Sequence, residues 1–110
     1  METVTQPTNA HQPDRTHILA EIRPITRPRL DVPSLPSTLQ RTEAVSAILR
    51  RLLAEYRDDE REAVRVMRRL GTRLLSEGPK GEATAYSAWQ HLVNLARCTE
   101  AFIDVEARSR

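Results

Sequence analysis

A few side chains in this sequence could take part in catalysis, but their spacing does not assemble a reactive site. His91 and Cys98 fall on one side of a predicted helix, yet seven residues span about 10 Å of helix, too far for a nucleophile and its base. Ser87 and His91 are one turn apart, but Leu95 occupies the next turn, where an acidic residue would be needed to orient the imidazole. The HExxH and ExxH spacings of helical metal sites do not occur in the sequence. We therefore expect no enzymatic activity, no small-molecule substrate, no metal and no cofactor.

A row of arginines is the strongest chemical signal. Lys80 is the single lysine among 17 basic residues, and five arginines recur at every fourth position from Arg57 to Arg73. Like charges at this spacing destabilise a helix by a few tenths of a kcal/mol per pair, so helix stability does not explain them. Because the guanidinium group fits carboxylate and phosphate oxygens, the row predicts an anion-binding face. Arg68 lies on the same side of the predicted helix as these five. We name the six residues the arginine ladder: Arg57, Arg61, Arg65, Arg68, Arg69 and Arg73.

Local ion pairs are the alternative explanation, and they would make the arginine ladder an ordinary solvated surface. Asp58 and Glu62 can each reach an arginine three positions further on. Arg68 and Arg69, however, have no acidic residue three or four positions away. The anion could be the phosphate backbone of double-stranded DNA or RNA, bound in a salt-sensitive and sequence-independent way, or an acidic protein.

Composition excludes several other classes of protein. The net charge is +2, and four aromatic residues are too few for a base-stacking surface. No glycine precedes Gly71, which excludes a glycine-rich phosphate loop, and the lone Cys98 excludes an internal disulfide. The sequence has no apolar stretch of about 20 residues that could span a membrane. Its polar N-terminal residues do not resemble a signal peptide, so we expect a cytoplasmic protein.

The N-terminal third is rich in proline, since six of the seven prolines lie in residues 1–36. We predict that 1–16 are disordered and that the rest of 1–36 forms an extended arm, because proline disfavours helix and pushes the preceding residue toward extended geometry. Apolar residues between the prolines could dock this arm onto its own domain or onto a protein partner. A loosely packed linker is the alternative. The docking candidates are Ile22, Ile25, Leu30, Val32 and Leu35.

Residues 37–110 carry the pattern of an all-α domain. A first helix is predicted to begin near Ser37 and to end before Gly78, which precedes a proline. Apolar positions keep a constant phase at about 100° per residue along this stretch, which favours one long helix over 37–77. A second helix is predicted over about 82–107, and its apolar arc is wide enough to need two neighbours.

A hairpin of two helices would bury little apolar surface, so we expect a homodimer that forms a four-helix bundle. The alternative is a three-helix bundle with a break near 57–60, where Asp59 and Glu62 have the spacing of a second capping box. The residues predicted at the dimer interface are Leu49, Leu53, Tyr56, Leu95 and Phe102.

Together these patterns predict a small, non-enzymatic, all-α binding or adaptor protein that acts through protein–protein interaction. Its arginine ladder would face an anionic partner. The alternative is a protein that binds the backbone of double-stranded RNA or DNA independently of sequence.

Overall fold

The structure, a computed structural model, describes residues 15–27, 29, 31–78 and 84–108. The regular structure in these residues is entirely helical, which confirms the predicted all-α class. The four helices are α1 (Arg15–Thr26), α2 (Leu35–Glu55), α3 (Glu62–Glu77) and α4 (Ala85–Arg108). Most of the segment predicted to be disordered, and Leu30 of the predicted arm, lie outside the described residues.

Helix α1 occupies the segment that we predicted to be extended. Ile18, Ile22 and Ile25 recur at helical spacing along α1 and are buried. Pro24 lies in the last turn of α1, and a proline in a helix interior costs about 3 kcal/mol. Fully burying an isoleucine contributes about 1.5–3 kcal/mol, so three buried isoleucines outweigh that cost. The prediction of extended structure for residues 17–26 is therefore wrong.

The first predicted helix of the domain is two helices. Helix α2 begins two residues earlier than predicted, where the Ser34 hydroxyl oxygen accepts a hydrogen bond of 3.4 Å from the backbone N–H of Ser37. It ends at Glu55, and α3 begins only at Glu62. The single helix over 37–77 is therefore wrong, and the break near 57–60, which the sequence left as the alternative, is present.

Helix α4 is the centre of the fold, because α1, α2 and α3 all pack on it. Helix α1 runs antiparallel to α4, since Arg15 pairs with Glu106 near the end of α4 while Ile25 lies beside Trp89 near its start. Helix α2 runs parallel to α4, since Val32, just before α2, lies beside Trp89 near the start of α4, while the rings of Tyr56 and Phe102 at the other ends are 5.7 Å apart. One chain thus supplies four packed helices.

The residues predicted to form a dimer interface lie inside this single chain. Leu49, Leu95 and Phe102 are fully buried, and Leu53 and Tyr56 are half-buried against the same core. The interface assigned from the sequence is therefore wrong, because the apolar faces expected to meet a second copy are covered by the chain's own helices. Homodimer formation stays a prediction, and these five residues no longer support it.

Two glycines of the α3 region should respond in opposite directions to replacement by alanine. A Cβ at buried Gly71 would lie 3.4 Å from methyl carbons of Leu49 and Leu53, and alanine favours helix over glycine by about 0.8–1 kcal/mol. We expect Gly71→Ala to stabilise the fold by about 0.5–1 kcal/mol. Gly78 ends α3 with φ of +72° and ψ of −174°, a backbone geometry that costs other residues about 1–3 kcal/mol.

We therefore expect Gly78→Ala to destabilise the fold by about 1 kcal/mol or more. Chemical denaturation of both variants measures the two effects. If both substitutions changed the free energy of unfolding in the same direction, the backbone geometry described for α3 and its end would be contradicted.

Candidate anion-binding face

The structure divides the arginine ladder between two roles. Arg57 and Arg61 lie in the connection between α2 and α3, and the other four residues lie on α3. Arg57 is exposed in a concavity that Asp58, Asp59 and Glu60 also line, so carboxylates surround its charge.

Arg61 is held within the chain by Asp59. Its Nε donates to Asp59 Oδ1 at 3.0 Å and to Oδ2 at 3.1 Å, and its backbone N–H donates to Oδ1 at 2.9 Å. These hydrogen bonds from Arg61 lower the pKa of the Asp59 carboxyl to about 2. The guanidinium group therefore fixes the start of α3, which differs from the anion-binding role predicted for it.

Arg68 also has a structural role. Its Nη1 donates to the backbone carbonyl oxygen of Tyr56 at 2.8 Å and to that of Asp59. These carbonyls follow the end of α2, where backbone acceptors have no partner within the helix. The sequence predicted an anion contact for Arg68 because no carboxylate lies nearby along α3. Backbone carbonyl oxygens are acceptors too, and the spacing of residues along α3 does not reveal them.

Arg65, Arg69 and Arg73 are exposed on the outer side of α3. Arg65 Nη1 is 3.7 Å from an oxygen of Glu62, and Arg73 Nε is 3.6 Å from an oxygen of Glu77. Exposed pairs of this kind contribute about 0–1 kcal/mol and exchange readily. Among the described residues, no ion pair involves Arg69. These three guanidinium groups are accessible to an external anion.

An open concavity of about 530 Å³ marks this side of α3. Among the residues that the structure describes, no acidic residue lines it. A helix rises 1.5 Å per residue, so arginines four positions apart lie about 6 Å apart along the axis and the row covers about 12 Å. This geometry presents repeated hydrogen-bond donors to an elongated anion. We name the lining residues the α3 arginine face: Arg65, Arg68, Arg69, Thr72 and Arg73.

The candidate catalytic groups lie in the interior. His91 and Cys98 are both buried in α4. Burial lowers the pKa of His91 and raises the pKa of Cys98 to about 11, so the thiol is not ionised at neutral pH and is a poor nucleophile. No group of three His, Cys, Asp or Glu side chains within the described ranges is arranged to hold a metal ion.

In the part of the chain that the structure describes, no helix is both long and apolar enough to span a bilayer.

The predicted docking arm is largely part of the fold. Ile22 and Ile25 are buried in the core, so they pack on their own domain, which was one of the two predicted ways of docking, and they are not available to a partner. Leu35 is half-buried at the start of α2, whereas Val32 is exposed. Of the predicted docking residues that the structure describes, Val32 is the most accessible.

Comparison with known proteins adds no relative. No protein-family model matches the chain, and neither a curated protein nor a solved structure matches it. Its function is therefore inferred from its own residues.

Proposed function

We propose that the protein is a non-enzymatic helical binding protein whose α3 arginine face binds an anionic partner. The observation that supports this is the exposed row of Arg65, Arg69 and Arg73 on a concavity that no carboxylate of the described ranges lines. Like charges held this close repel one another. A partner that brings carboxylates or phosphates would replace that repulsion with charge-assisted hydrogen bonds.

An acidic protein surface is the partner that we favour. Val66 is exposed, and at 100° per residue it lies beside Arg69 and Arg73 on α3. An apolar side chain next to arginines can bury surface against another protein. A phosphate backbone offers it no apolar contact.

The phosphate backbone of double-stranded RNA or DNA is the second candidate. The regular spacing of about 6 Å between arginines supports it, because such a row can contact successive phosphates. The arginine side chains would contact the phosphate backbone and would not recognise bases. Binding would therefore be independent of nucleotide sequence and sensitive to salt. The predicted homodimer would place two such rows on one duplex. Light scattering of the purified protein tests whether the homodimer forms.

Charge reversal on α3 tests the proposal. In the variant Arg65→Glu/Arg69→Glu/Arg73→Glu, we expect affinity for a fluorescent poly-glutamate chain to fall at least tenfold, about 1.4 kcal/mol. The matched control reverses three exposed arginines elsewhere, Arg41, Arg50 and Arg108. It has the same net charge and should bind within about twofold of the unmodified protein. Circular dichroism should show unchanged helicity in both variants.

Fluorescence anisotropy with poly-glutamate and with a duplex of equal charge distinguishes the two partner classes. Tighter binding to the acidic chain supports a protein partner. Tighter binding to the duplex, with affinity that falls steeply as salt increases, supports the nucleic-acid candidate instead. Equal weakening in the control variant would mean that binding follows net charge alone, and the α3 arginine face would then have no specific role.

A further inference from the structure

A second concave surface lies on α1 and α4 and shares no lining residue with the α3 arginine face. It is an open groove of about 370 Å³ where the end of α1, the connection to α2 and the first half of α4 meet. We name it the α1–α4 groove. The lining residues that matter below are Arg27, Arg29, Val32, Tyr86, Trp89 and Arg97.

Exposed apolar side chains are concentrated in this groove. Val32 is 43% exposed and Tyr86 is 61% exposed, and both line it. They are two of four large hydrophobic residues that are exposed among the described residues. Beneath them, Ile25 and Val93 are buried and form an apolar floor. Exposed apolar side chains gathered in a concavity, rather than scattered singly, mark a binding surface.

The groove is also strongly basic. Three arginines line it, Arg27, Arg29 and Arg97, against one carboxylate, that of Asp31. Asp31 lies 3.7 Å from the guanidinium group of Arg29. Within the described part of the chain, no carboxylate lies at ion-pair distance from Arg27 or Arg97. The groove therefore favours a ligand that carries negative charge.

The position of Arg29 distinguishes between classes of anionic ligand. Its guanidinium carbon lies 5.5 Å from the centre of the Trp89 ring, a cation–π contact that covers the indole. A nucleobase would have to displace Arg29 to stack on Trp89, and Tyr86 alone does not make a stacking surface. Tryptophan, tyrosine and arginine are, by contrast, the residues enriched where proteins bind each other most strongly.

We propose that the α1–α4 groove is a docking site for an acidic protein segment. Carboxylates of that segment pair with Arg27 and Arg97. A large apolar side chain of the segment packs between Val32 and Tyr86 over the apolar floor. This site is separate from the α3 arginine face, and its binding does not depend on the function proposed for that face.

Trp89 allows a direct test, because it is the only tryptophan in the sequence and it lies in the groove. A displayed library of random 12-residue peptides is selected against the full chain. Selected peptides are then titrated while Trp89 fluorescence is followed. We expect them to carry at least two carboxylates around a large apolar residue and to change the Trp89 emission on binding.

Variants then locate the bound peptide. Arg27→Glu/Arg97→Glu should weaken binding at least tenfold, and Tyr86→Ala about fivefold, with helicity unchanged because all three side chains are exposed. The matched control Arg50→Glu/Arg108→Glu carries the same change of charge on exposed residues that line neither the groove nor the α3 arginine face. It should bind within about twofold of the unmodified protein.

Three outcomes would overturn the proposal. Selected peptides without enrichment of Asp and Glu would remove its electrostatic basis. Binding that survives Arg27→Glu/Arg97→Glu but is lost in Arg65→Glu/Arg69→Glu would place the peptide on the α3 arginine face instead. A 12-nucleotide single strand that displaces the selected peptides and binds more tightly than they do would assign the groove to nucleic acid.

Discussion

An Ile22→Ala substitution is expected to lower the free energy of unfolding by about 3–4 kcal/mol. Ile22 is 0% exposed and belongs to the core formed with α4. Truncation removes buried methyl groups and leaves a cavity that neighbouring side chains fill only in part. Alanine also favours helix more than isoleucine does, so a loss of stability would come from packing rather than from helix propensity. Urea denaturation followed by circular dichroism gives the value.

Val32→Ala is the matched control for Ile22→Ala, because the sequence assigned both residues to the same docking arm. Val32 is exposed, so its truncation should change the free energy of unfolding by less than about 0.5 kcal/mol. An arm that docks only on a partner would leave stability unchanged in both variants. Equal and small effects would thus show that α1 does not belong to the core.

Arg15→Met should destabilise the fold by about 2–3 kcal/mol, because it removes the guanidinium group that pairs with the buried carboxylate of Glu106. The guanidinium group of Arg15 donates to Glu106 Oε1 and, at 3.0 Å, to the hydroxyl of Tyr56. The Glu106 side chain is 6% exposed and that of Arg15 is 38% exposed. Removal of one partner from a fully buried pair costs about 3–5 kcal/mol, and partial exposure of Arg15 reduces this through solvent screening.

A double-mutant cycle with Glu106→Met isolates the interaction between the two charges. The double variant should be more stable than the sum of the two single losses predicts, by about 1–3 kcal/mol, because neither charge is then left alone. Tyr56→Phe removes only a hydroxyl group and should cost about 1 kcal/mol. Additive effects of Arg15→Met and Glu106→Met would contradict a direct pairing that joins α1 to α4.

Apolar periodicity and glycine placement were sufficient to predict the last part of the fold. The second helix predicted over 82–107 is α4, and the stop predicted at Gly78 ends α3. Periodicity could not distinguish one long helix from α2 and α3. Each of these helices packs on α4 and carries its own apolar repeat, and the two repeats agree in phase although the chain between Glu55 and Glu62 is not helical.

Helix α1 was missed although its spacing was visible in the sequence. Ile18, Ile22 and Ile25 follow a helical repeat, which predicts a helix. The neighbouring prolines predict extended structure instead. Pro24, inside α1, removes one backbone hydrogen bond and crowds the preceding turn. Tertiary burial of the three isoleucines therefore outweighed the local preference for extended structure.

The sequence predicts a candidate site only where all of its residues lie on one helix. Arg65, Arg69 and Arg73 share a face because of their spacing along α3, and they are exposed as a row. The structural role of Arg68 depends on carbonyls of the preceding connection. The α1–α4 groove combines residues from three separate segments, such as Arg27 and Arg97, whose proximity follows from the fold and from no local pattern.

The central position of α4 has a consequence for biosynthesis. A ribosome makes α1, α2 and α3 before α4, the helix on which all three pack. At about 5–20 residues per second, the roughly 80 residues from the end of α1 to the end of α4 take about 4–16 s to translate. During that interval the isoleucines of α1 have no completed core to enter. The nascent chain therefore exposes apolar surface that chaperones can bind until the last helix has emerged.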